Sequence, residues 1–240
     1  LAGVDGLVAL RMLLAALGSA LFWLLAVRRG AYPWIAGLCA AILTGIAAPY
    51  YITRPLMLAP LCAAGLLLCL RRPTWPRVGA ALVLQLAWAN LHASFALGIA
   101  LFGLHAALAT AQHALHRRPT GNAESPDPVA NDASAGSPPF RLWMGTFAAL
   151  GVSLLNPNGV DLLLYVVRLH QLGWVREVIE EWRPPEFWRP HNYRFAVAAV
   201  AVWILTVAAL ARRRRLCAVD VLVLALFTWQ AFVSRRFILL

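Results

Sequence analysis

The sequence predicts an all-α, polytopic integral membrane protein with about eight transmembrane helices and an interfacial helical segment on its outer face. Its mean hydropathy is +0.70 and only 13% of its residues are charged, against roughly 25% in soluble domains. Apolar stretches of about 15 to 22 residues recur along the chain, and a helix needs roughly 20 such residues to cross ~30 Å of hydrocarbon. No segment shows the alternation of apolar and polar residues that is typical of membrane β-strands.

Eight apolar stretches are predicted to span the membrane, and together they form a single transmembrane domain over residues 1–240. The stretches are 7–27, 33–52, 56–70, 78–91, 95–115, 142–156, 195–211 and 217–233. Several are shorter than a full span and are expected to rely on flanking residues to reach both membrane surfaces. Because the chain opens on Leu1 and stops within an apolar segment, we expect it to be a fragment of a longer protein.

Arginine clusters predict the orientation of these spans. They follow the first and seventh spans, separate the third from the fourth, and flank the loop between the fifth and the sixth. Their members are Arg28, Arg29, Arg71, Arg72, Arg77, Arg117, Arg118, Arg141 and Arg212 to Arg215. The side that holds them carries twelve arginines and four acidic residues, whereas the other side carries nine arginines and six acidic residues. The positive-inside bias therefore predicts that the first side is cytoplasmic.

Two predicted loops are long. Residues 119–139 are rich in Pro, Gly, Ser, Ala and Asp and hold no large apolar residue, so they cannot bury enough surface to become ordered. We therefore predict a disordered cytoplasmic loop there. Residues 157–194 form a predicted periplasmic or interfacial segment, which opens with an apolar helix from Val160 to His170 and continues with carboxylates, arginines and tryptophans.

Short polar motifs join the spans on the outer side. Arg54 lies between the second and third spans, and its planar guanidinium suits a phosphate; the alternative is an arginine that only snorkels at the interface. Asn90 and His92 lie in a very short turn between the fourth and fifth spans. Because the turn is so short, we expect its polar side chains to lie near the hydrocarbon of the membrane, where polar side chains are functional candidates. His92 is suited to donate to a phosphate or to shuttle a proton. The alternative is a turn whose side chains bond local backbone.

Two further motifs on the outer side also suit either ligand binding or a purely structural role. Asn156 and Asn158 end the sixth span in an Asn-Pro-Asn-Gly sequence, which suits either ligand binding or a simple reversal of the backbone. Glu181 and Trp182 bring a carboxylate beside an indole. Such a pair suits a sugar, because the carboxylate accepts hydrogen bonds from hydroxyls while the ring stacks on C–H groups. The alternative is an interfacial helix with an aromatic belt.

The remaining polar residues of interest lie near the ends of the spans or inside them. His191 and Arg194 precede the seventh span. Arg235 and Arg236 lie on the outer side, against the positive-inside bias, and an anionic headgroup would account for them. Inside the spans, Gln85 is expected to form an interhelical hydrogen bond and no metal site is predicted. The net charge of +11 does not predict a nucleic-acid partner, because the arginines flank membrane spans instead of covering a soluble face.

Five motifs, taken in order, resemble a family of bacterial polytopic inner-membrane proteins that looks like the GT-C glycosyltransferases. They are Arg54-Pro55, Trp88-Ala89-Asn90-Leu91-His92, Asn156-Pro157-Asn158-Gly159, Glu181-Trp182-Arg183-Pro184-Pro185-Glu186-Phe187 and Arg235-Arg236-Phe237. The resemblance implies a transferase that takes a sugar from a polyprenyl-phosphate donor at the periplasmic face and passes it to an envelope acceptor. It also implies a carboxylate from the first external loop as base or metal partner. That loop is expected upstream of Leu1, so the catalytic residue and any divalent metal stay unassigned.

The resemblance implies roles for the candidate residues. The full set is Arg54, Asn90, His92, Asn156, Asn158, Glu181, Trp182, His191, Arg194, Arg235 and Arg236. The arginines would neutralise the lipid phosphate, and Glu181 and Trp182 would contact the sugar. Asn90 and His92 would line the cavity floor. The chain departs from the family in having Ala93 where a glycine is usual and Asn158 where a tyrosine is usual. A lipid or solute transporter and a non-catalytic envelope protein remain alternative functions.

Overall fold

The structure is a computed structural model that describes residues 3–48, 55–116, 139–171, 183–186, 188–211 and 218–233. Over these residues the chain forms nine α-helices and two short 3-10 turns and no strand, which confirms the predicted all-α class. The helices are α1 (Gly3–Arg28), α2 (Pro33–Ala47), α3 (Ala59–Leu70), α4 (Trp75–Leu91), α5 (Ala96–His116), α6 (Pro139–Ser153), α7 (Val160–Gln171), α8 (Pro190–Ala211) and α9 (Ala218–Val233). The turns Pro55–Leu58 and Ala93–Phe95 precede α3 and α5.

Each of the eight predicted spans coincides with one helix, and the helix predicted after Gly159 is α7. Proline lies in the first turn of α2, α3 and α4, where its missing N–H removes no helical hydrogen bond. The helix bounds differ from the predicted ones by several residues: α8 begins at Pro190 and not at residue 195, and α6 ends at Ser153 and not at residue 156. Asn156 Nδ2 donates to the carbonyl of Ser153 at 2.6 Å and so caps the end of the helix. The predicted disordered loop lies outside the described residues, except for Pro139, which begins α6.

The buried core lies among α3, α4, α5 and α6. Trp88, Phe95, Leu101 and Phe102 have no exposed surface. Gly145 of α6 lets α5 come close, because a Cβ at that position would lie 3.1 Å from the Phe102 ring. The helix α1 packs against α2 and α3 at the side of this core. Large side chains elsewhere remain exposed, so the packed surface is confined to the middle helices.

Contacts between helix ends define two ends of the helix assembly. At the end predicted to be cytoplasmic, here termed the inner end, Arg29 after α1 forms an ion pair with Asp220 of α9. At the same end, the guanidinium carbon of Arg141 lies 5.9 Å from the centroid of the Trp75 ring, within range of a cation–π interaction. Because Trp75 begins α4 and Arg141 lies at the start of α6, these two helices start side by side.

The opposite end, here termed the outer end, is joined by hydrogen bonds to backbone carbonyls. Asn90 Nδ2, in the last turn of α4, donates to the carbonyl of Leu155, which follows α6, at 3.2 Å. Arg11 of α1 donates to the carbonyl of Ala48, which follows α2, at 3.5 Å. Consequently α4 and α6 run parallel from the inner end to the outer end, whereas α1 and α2 form an antiparallel pair.

Helix length identifies fewer candidate spans than the sequence predicted. By length and composition, Gly3–Arg28 and Ala93–Leu115 are long and apolar enough to cross a membrane. Four shorter apolar helices are Pro33–Ala47, Ala59–Leu70, Asn192–Ala208 and Ala218–Val233. The same length test is passed by signal sequences and by core helices of soluble proteins. It therefore supports a membrane protein weakly and does not establish eight spans.

Candidate functional site

Polar side chains gather at the outer end, where α4 and α6 finish and α5 begins. They come from α4, the turn after it, α6 and the residues that follow α6. We term this group the outer polar cluster, and its members are Gln85, Trp88, Asn90, His92, Ser94, Ser153 and Asn156. Three of them, Asn90, His92 and Asn156, were predicted as site residues from the sequence, and Asn158 lies next to the cluster.

Gln85 ties three segments of the cluster together. Its side chain is fully buried in α4, and Nε2 donates to Ser153 Oγ of α6 at 2.9 Å and to the Phe95 carbonyl at 3.1 Å. Ser153 Oγ in turn donates to the carbonyl of Ala149 at 2.7 Å. Gln85 therefore forms the interhelical hydrogen bond that the sequence predicted, and it fixes the turn before α5 against α6.

The other polar atom of this amide is not satisfied. Gln85 Oε1 is buried and accepts no hydrogen bond from the described residues, which ordinarily costs about 1–3 kcal/mol. It faces the position that a Cβ on Gly98 would occupy, and the two would overlap. Gly98 is therefore needed for the close approach of α5 to the Gln85 side chain.

His92 caps the turn Ala93–Phe95 with its ring. Its backbone is extended, with φ −160° and ψ 142°, and the Ser94 N–H donates to Nδ1 at 3.0 Å. Ser94 Oγ lies 2.9 Å from the same nitrogen and 3.0 Å from Trp88 Nε1. His92 is half-buried, whereas Trp88 and Ser94 are buried. The orientation of the His92 ring is thus set by hydrogen bonds from the interior of the protein.

Asn90 links the two helix ends and presents an acceptor outward. It is exposed, and Nδ2 donates to the carbonyls of Leu86 at 2.9 Å and Leu155 at 3.2 Å. Both amide hydrogens are therefore used, and Oδ1 is left to accept. An acceptor of this kind suits a group that donates a hydrogen bond, such as a hydroxyl, and repels an anionic oxygen.

Asn156 has the local structural role that the sequence left open. Its Nδ2 bonds the Ser153 carbonyl, and its Oδ1 accepts the N–H of Asn158 at 2.8 Å, which is the pattern of an Asx turn. Gly159 then reverses the chain at φ 49°. The Asn158 side chain is exposed and forms no hydrogen bond with the described part of the chain. Of the two asparagines, Asn158 is the one whose side chain remains available to a ligand.

A second polar contact orders the segment before α8. Asn192 is fully buried, and its Nδ2 donates to the Glu186 carbonyl at 2.9 Å. Arg189 Nε pairs with Glu186 Oε2 at 2.6 Å. Trp188 is 79% exposed and Tyr193 is 60% exposed. This segment therefore presents aromatic and charged groups on its surface while its backbone is held from inside.

The remaining predicted site residues are placed only in part. Arg54, Glu181, Trp182, Arg235 and Arg236 lie outside the described residues. His191 lies in the first turn of α8, and Arg194 is exposed on the same helix. None of the described contacts joins Arg194 to the outer polar cluster.

The prediction from sequence missed Ser94, Ser153 and Asn192. Each is buried, and each forms a hydrogen bond that orders a helix end or a turn. The signal available for Ser153 was a polar residue inside the apolar run from Gly151 to Leu155, which is typical of a side chain that forms a hydrogen bond to a neighbouring helix. Its partner could not be deduced from the sequence, because Gln85 lies 68 residues away along the chain.

The outer polar cluster combines several kinds of uncharged polar group. Its members supply amide, imidazole, hydroxyl and indole groups, and none of them is a carboxylate. Over the described ranges, no three His, Cys, Asp or Glu side chains gather in a way that could hold a metal ion. No protein-family model, curated protein or solved structure matches the chain.

Proposed function

We propose that the chain is part of a polytopic bacterial inner-membrane glycosyltransferase that transfers a sugar from a polyprenyl-phosphate donor to an envelope acceptor at the periplasmic face. One observation carries the proposal. Asn90 and His92 come from one motif of the resemblance, and Asn156 comes from another about 65 residues further along the chain, yet all three lie at one end of α4 and α6. A site at the ends of membrane-spanning helices lies at the border between the hydrocarbon and the headgroups, next to the lipid phosphate.

Exposed apolar side chains support the membrane location. Met12, Trp34, Phe147 and Leu205, on four different helices, are between 65% and 70% exposed. Soluble monomers rarely expose apolar patches larger than a few hundred Å², so these faces are suited to lipid. The helices α2, α3, α6 and α9 have 12 to 16 residues and rise about 18–24 Å. They need local bilayer thinning or flanking residues to complete a span.

The contacts at the inner end support the proposed orientation. Arg29 and Arg141 belong to the clusters that the positive-inside bias assigns to the cytoplasm, and both take part in contacts at the inner end. The outer polar cluster lies at the opposite end of α4 and α6. A periplasmic location for this cluster follows if the inner end is cytoplasmic.

In this proposal the parts of the donor lipid contact different groups. Arg54, Arg194, Arg235 and Arg236 neutralise the phosphate, which becomes the leaving group. Glu181 and Trp182 contact the sugar, together with the outward acceptor of Asn90. The catalytic carboxylate and any divalent metal are not assigned to residues of this chain.

A transporter is the main alternative, and the position of the cluster argues against it. Transporters usually build their substrate sites near the bilayer midplane from broken helices. Here the polar groups lie where α4 and α6 end, and the only fully buried interior amide of the cluster, Gln85, is held by Ser153 and Phe95. A non-catalytic envelope protein would need no donor lipid, which the following experiment tests.

The pool of lipid-linked sugars distinguishes these functions. In cells that express Arg54→Ala or His92→Ala protein, we expect polyprenyl-phosphate-linked sugar to accumulate, because its consumption slows while the protein stays in the membrane. His113→Ala is the matched control, since His113 is an exposed histidine near the opposite end of α5. Mass spectrometry of the extracted lipids measures the pool, and immunoblots measure the protein. An unchanged pool in both variants, with normal envelope glycans, contradicts the proposal.

A further inference from the structure

Two donors converge on Nδ1 of His92. The Ser94 backbone N–H lies 3.0 Å from this nitrogen, and a backbone N–H can only donate. Nδ1 must therefore offer its lone pair, so the ring carries no proton on this atom. A neutral imidazole has one N–H, and in His92 that proton is on Nε2.

Trp88 determines where the hydroxyl hydrogen of Ser94 points. The indole Nε1–H is a donor without acceptor capacity, and it lies 3.0 Å from Ser94 Oγ. Ser94 Oγ thus accepts from Trp88, and its own hydrogen is directed to His92 Nδ1, 2.9 Å away. The hydroxyl and the backbone N–H of one serine both bind the same lone pair.

Burial makes this arrangement hard to reverse. If the ring carried its proton on Nδ1, the backbone N–H and the hydroxyl of Ser94 would both lose their acceptor. Trp88 has no exposed surface and Ser94 is 5% exposed, so water cannot take the place of that acceptor. Hydrogen bonds in such a low-dielectric environment also reinforce one another.

We propose that Trp88 and Ser94 are positioning residues that hold His92 as the Nε2–H tautomer. A general base would need a lone pair on Nε2, which the arrangement withholds. In the proposed transfer, the proton of the sugar acceptor is therefore removed by a group other than His92; this part of the inference rests on the proposed function, whereas the tautomer does not.

His105 provides an internal reference with the opposite tautomer. Its Nδ1 lies 2.8 Å from the carbonyl oxygen of Leu101, and a carbonyl can only accept. His105 therefore carries its proton on Nδ1. The same protein thus holds two neutral histidines whose tautomers are set in opposite directions by their hydrogen-bond partners.

Nitrogen NMR of the full protein in lipid nanodiscs tests the tautomer. With ¹⁵N-labelled histidine, we expect one imidazole protonated on Nε2 that disappears in His92→Gln, and another protonated on Nδ1 that disappears in His105→Gln. A His92 signal that shows a proton on Nδ1, or on both nitrogens at neutral pH, would overturn the inference.

Variants of the two positioning residues test their role. Ser94→Ala removes one of the two donors, and Trp88→Phe releases the hydroxyl, so each is expected to shift the His92 Nδ1 resonance. The matched control is Trp203→Phe, because Trp203 donates to Thr228 between α8 and α9 and should leave His92 unchanged. The His105 signal reports whether each variant is folded. If His92 resonates as in the wild type in both folded variants, Trp88 and Ser94 are not positioning residues.

Discussion

Gly98 leaves room for the carboxamide of Gln85, and this pair illustrates how single residues determine the packing at the outer end. The amide nitrogen of Gln85 is fully used by Ser153 and Phe95, so the amide cannot turn to satisfy its oxygen without losing both bonds. The unpaired oxygen is then accommodated against the bare α-carbon of Gly98. A weak Cα–H···O contact fits this arrangement.

Replacement of Gly98 by alanine should therefore destabilise the protein. The added methyl group would overlap Gln85 Oε1 and approach Leu66, and overpacking of this kind costs about 1–3 kcal/mol. The matched control is Gly103→Ala on the same helix, where the nearest side-chain atom, on Thr146, lies at an ordinary 3.9 Å. Thermal unfolding in detergent measures both variants. Equal midpoints for the two would contradict the close contact between Gln85 and Gly98.

The helices α4 and α6 are held together at the level of elements by polar side chains as well as by apolar packing. Gln85 of α4 bonds Ser153 of α6, and Asn90 in the last turn of α4 bonds the Leu155 carbonyl. Interhelical hydrogen bonds in membrane proteins average about 0.6 kcal/mol. Two such bonds contribute little energy, but they fix the relative rotation and height of α4 and α6 and hence the position of His92.

A double-mutant cycle measures this link between the helices. With Gln85→Leu and Ser153→Ala, we expect a coupling free energy of about 0.6 kcal/mol, up to about 1.7 kcal/mol. A second cycle that pairs Gln85→Leu with Thr146→Val is the control, because the Thr146 hydroxyl bonds Leu142 within its own helix. That control cycle should be additive. Zero coupling between Gln85 and Ser153 in folded variants would show that the bond does not join α4 to α6.

Helices were predictable from the sequence to a greater degree than the site was. Long apolar runs in the sequence predicted α1 and α5, because the hydropathy pattern of a segment depends only on residues that are adjacent in the chain. The end of α6 was missed because a side chain beyond the helix, Asn156, takes the carbonyl of Ser153. The importance of Ser94 and Ser153 could not be predicted, since their partners are brought close only by the packing of α4 against the turn and against α6.

At the scale of the whole molecule, the contacts of the inner end differ chemically from the outer polar cluster. Arg29 and Arg141 make their contacts at the inner end, whereas the outer polar cluster consists of neutral amides, hydroxyls, an indole and an imidazole. A neutral cluster can sit near hydrocarbon depth at a lower cost than a charged one. The separation of charge from the neutral cluster agrees with a protein that is held in one orientation by its arginines.

Reporter insertions test this orientation. A reporter placed within the full chain at Ser134 should signal a cytoplasmic location, and one at the exposed Trp188 should signal a periplasmic location. The expected difference follows from the arginine clusters on either side of residue 134 and the positive-inside bias. If both reporters signal the same side of the membrane, Ser134 and Trp188 do not lie on opposite faces. The predicted periplasmic location of the outer polar cluster would then be contradicted.

Transfer of a sugar from a polyprenyl phosphate is tested most directly with the purified full-length protein. Cells that lack the protein should accumulate its donor, so their extracted lipid-linked sugars, placed in vesicles, provide the substrate. We expect the wild-type protein to consume one sugar-bearing species and release polyprenyl phosphate. The His92→Ala variant should be slower by roughly 10²-fold, as expected for loss of one hydrogen-bond donor to a developing anion. If the lipid-linked sugars stay intact with wild-type protein, or cross the bilayer without losing their sugar, the chain is not a transferase of this kind.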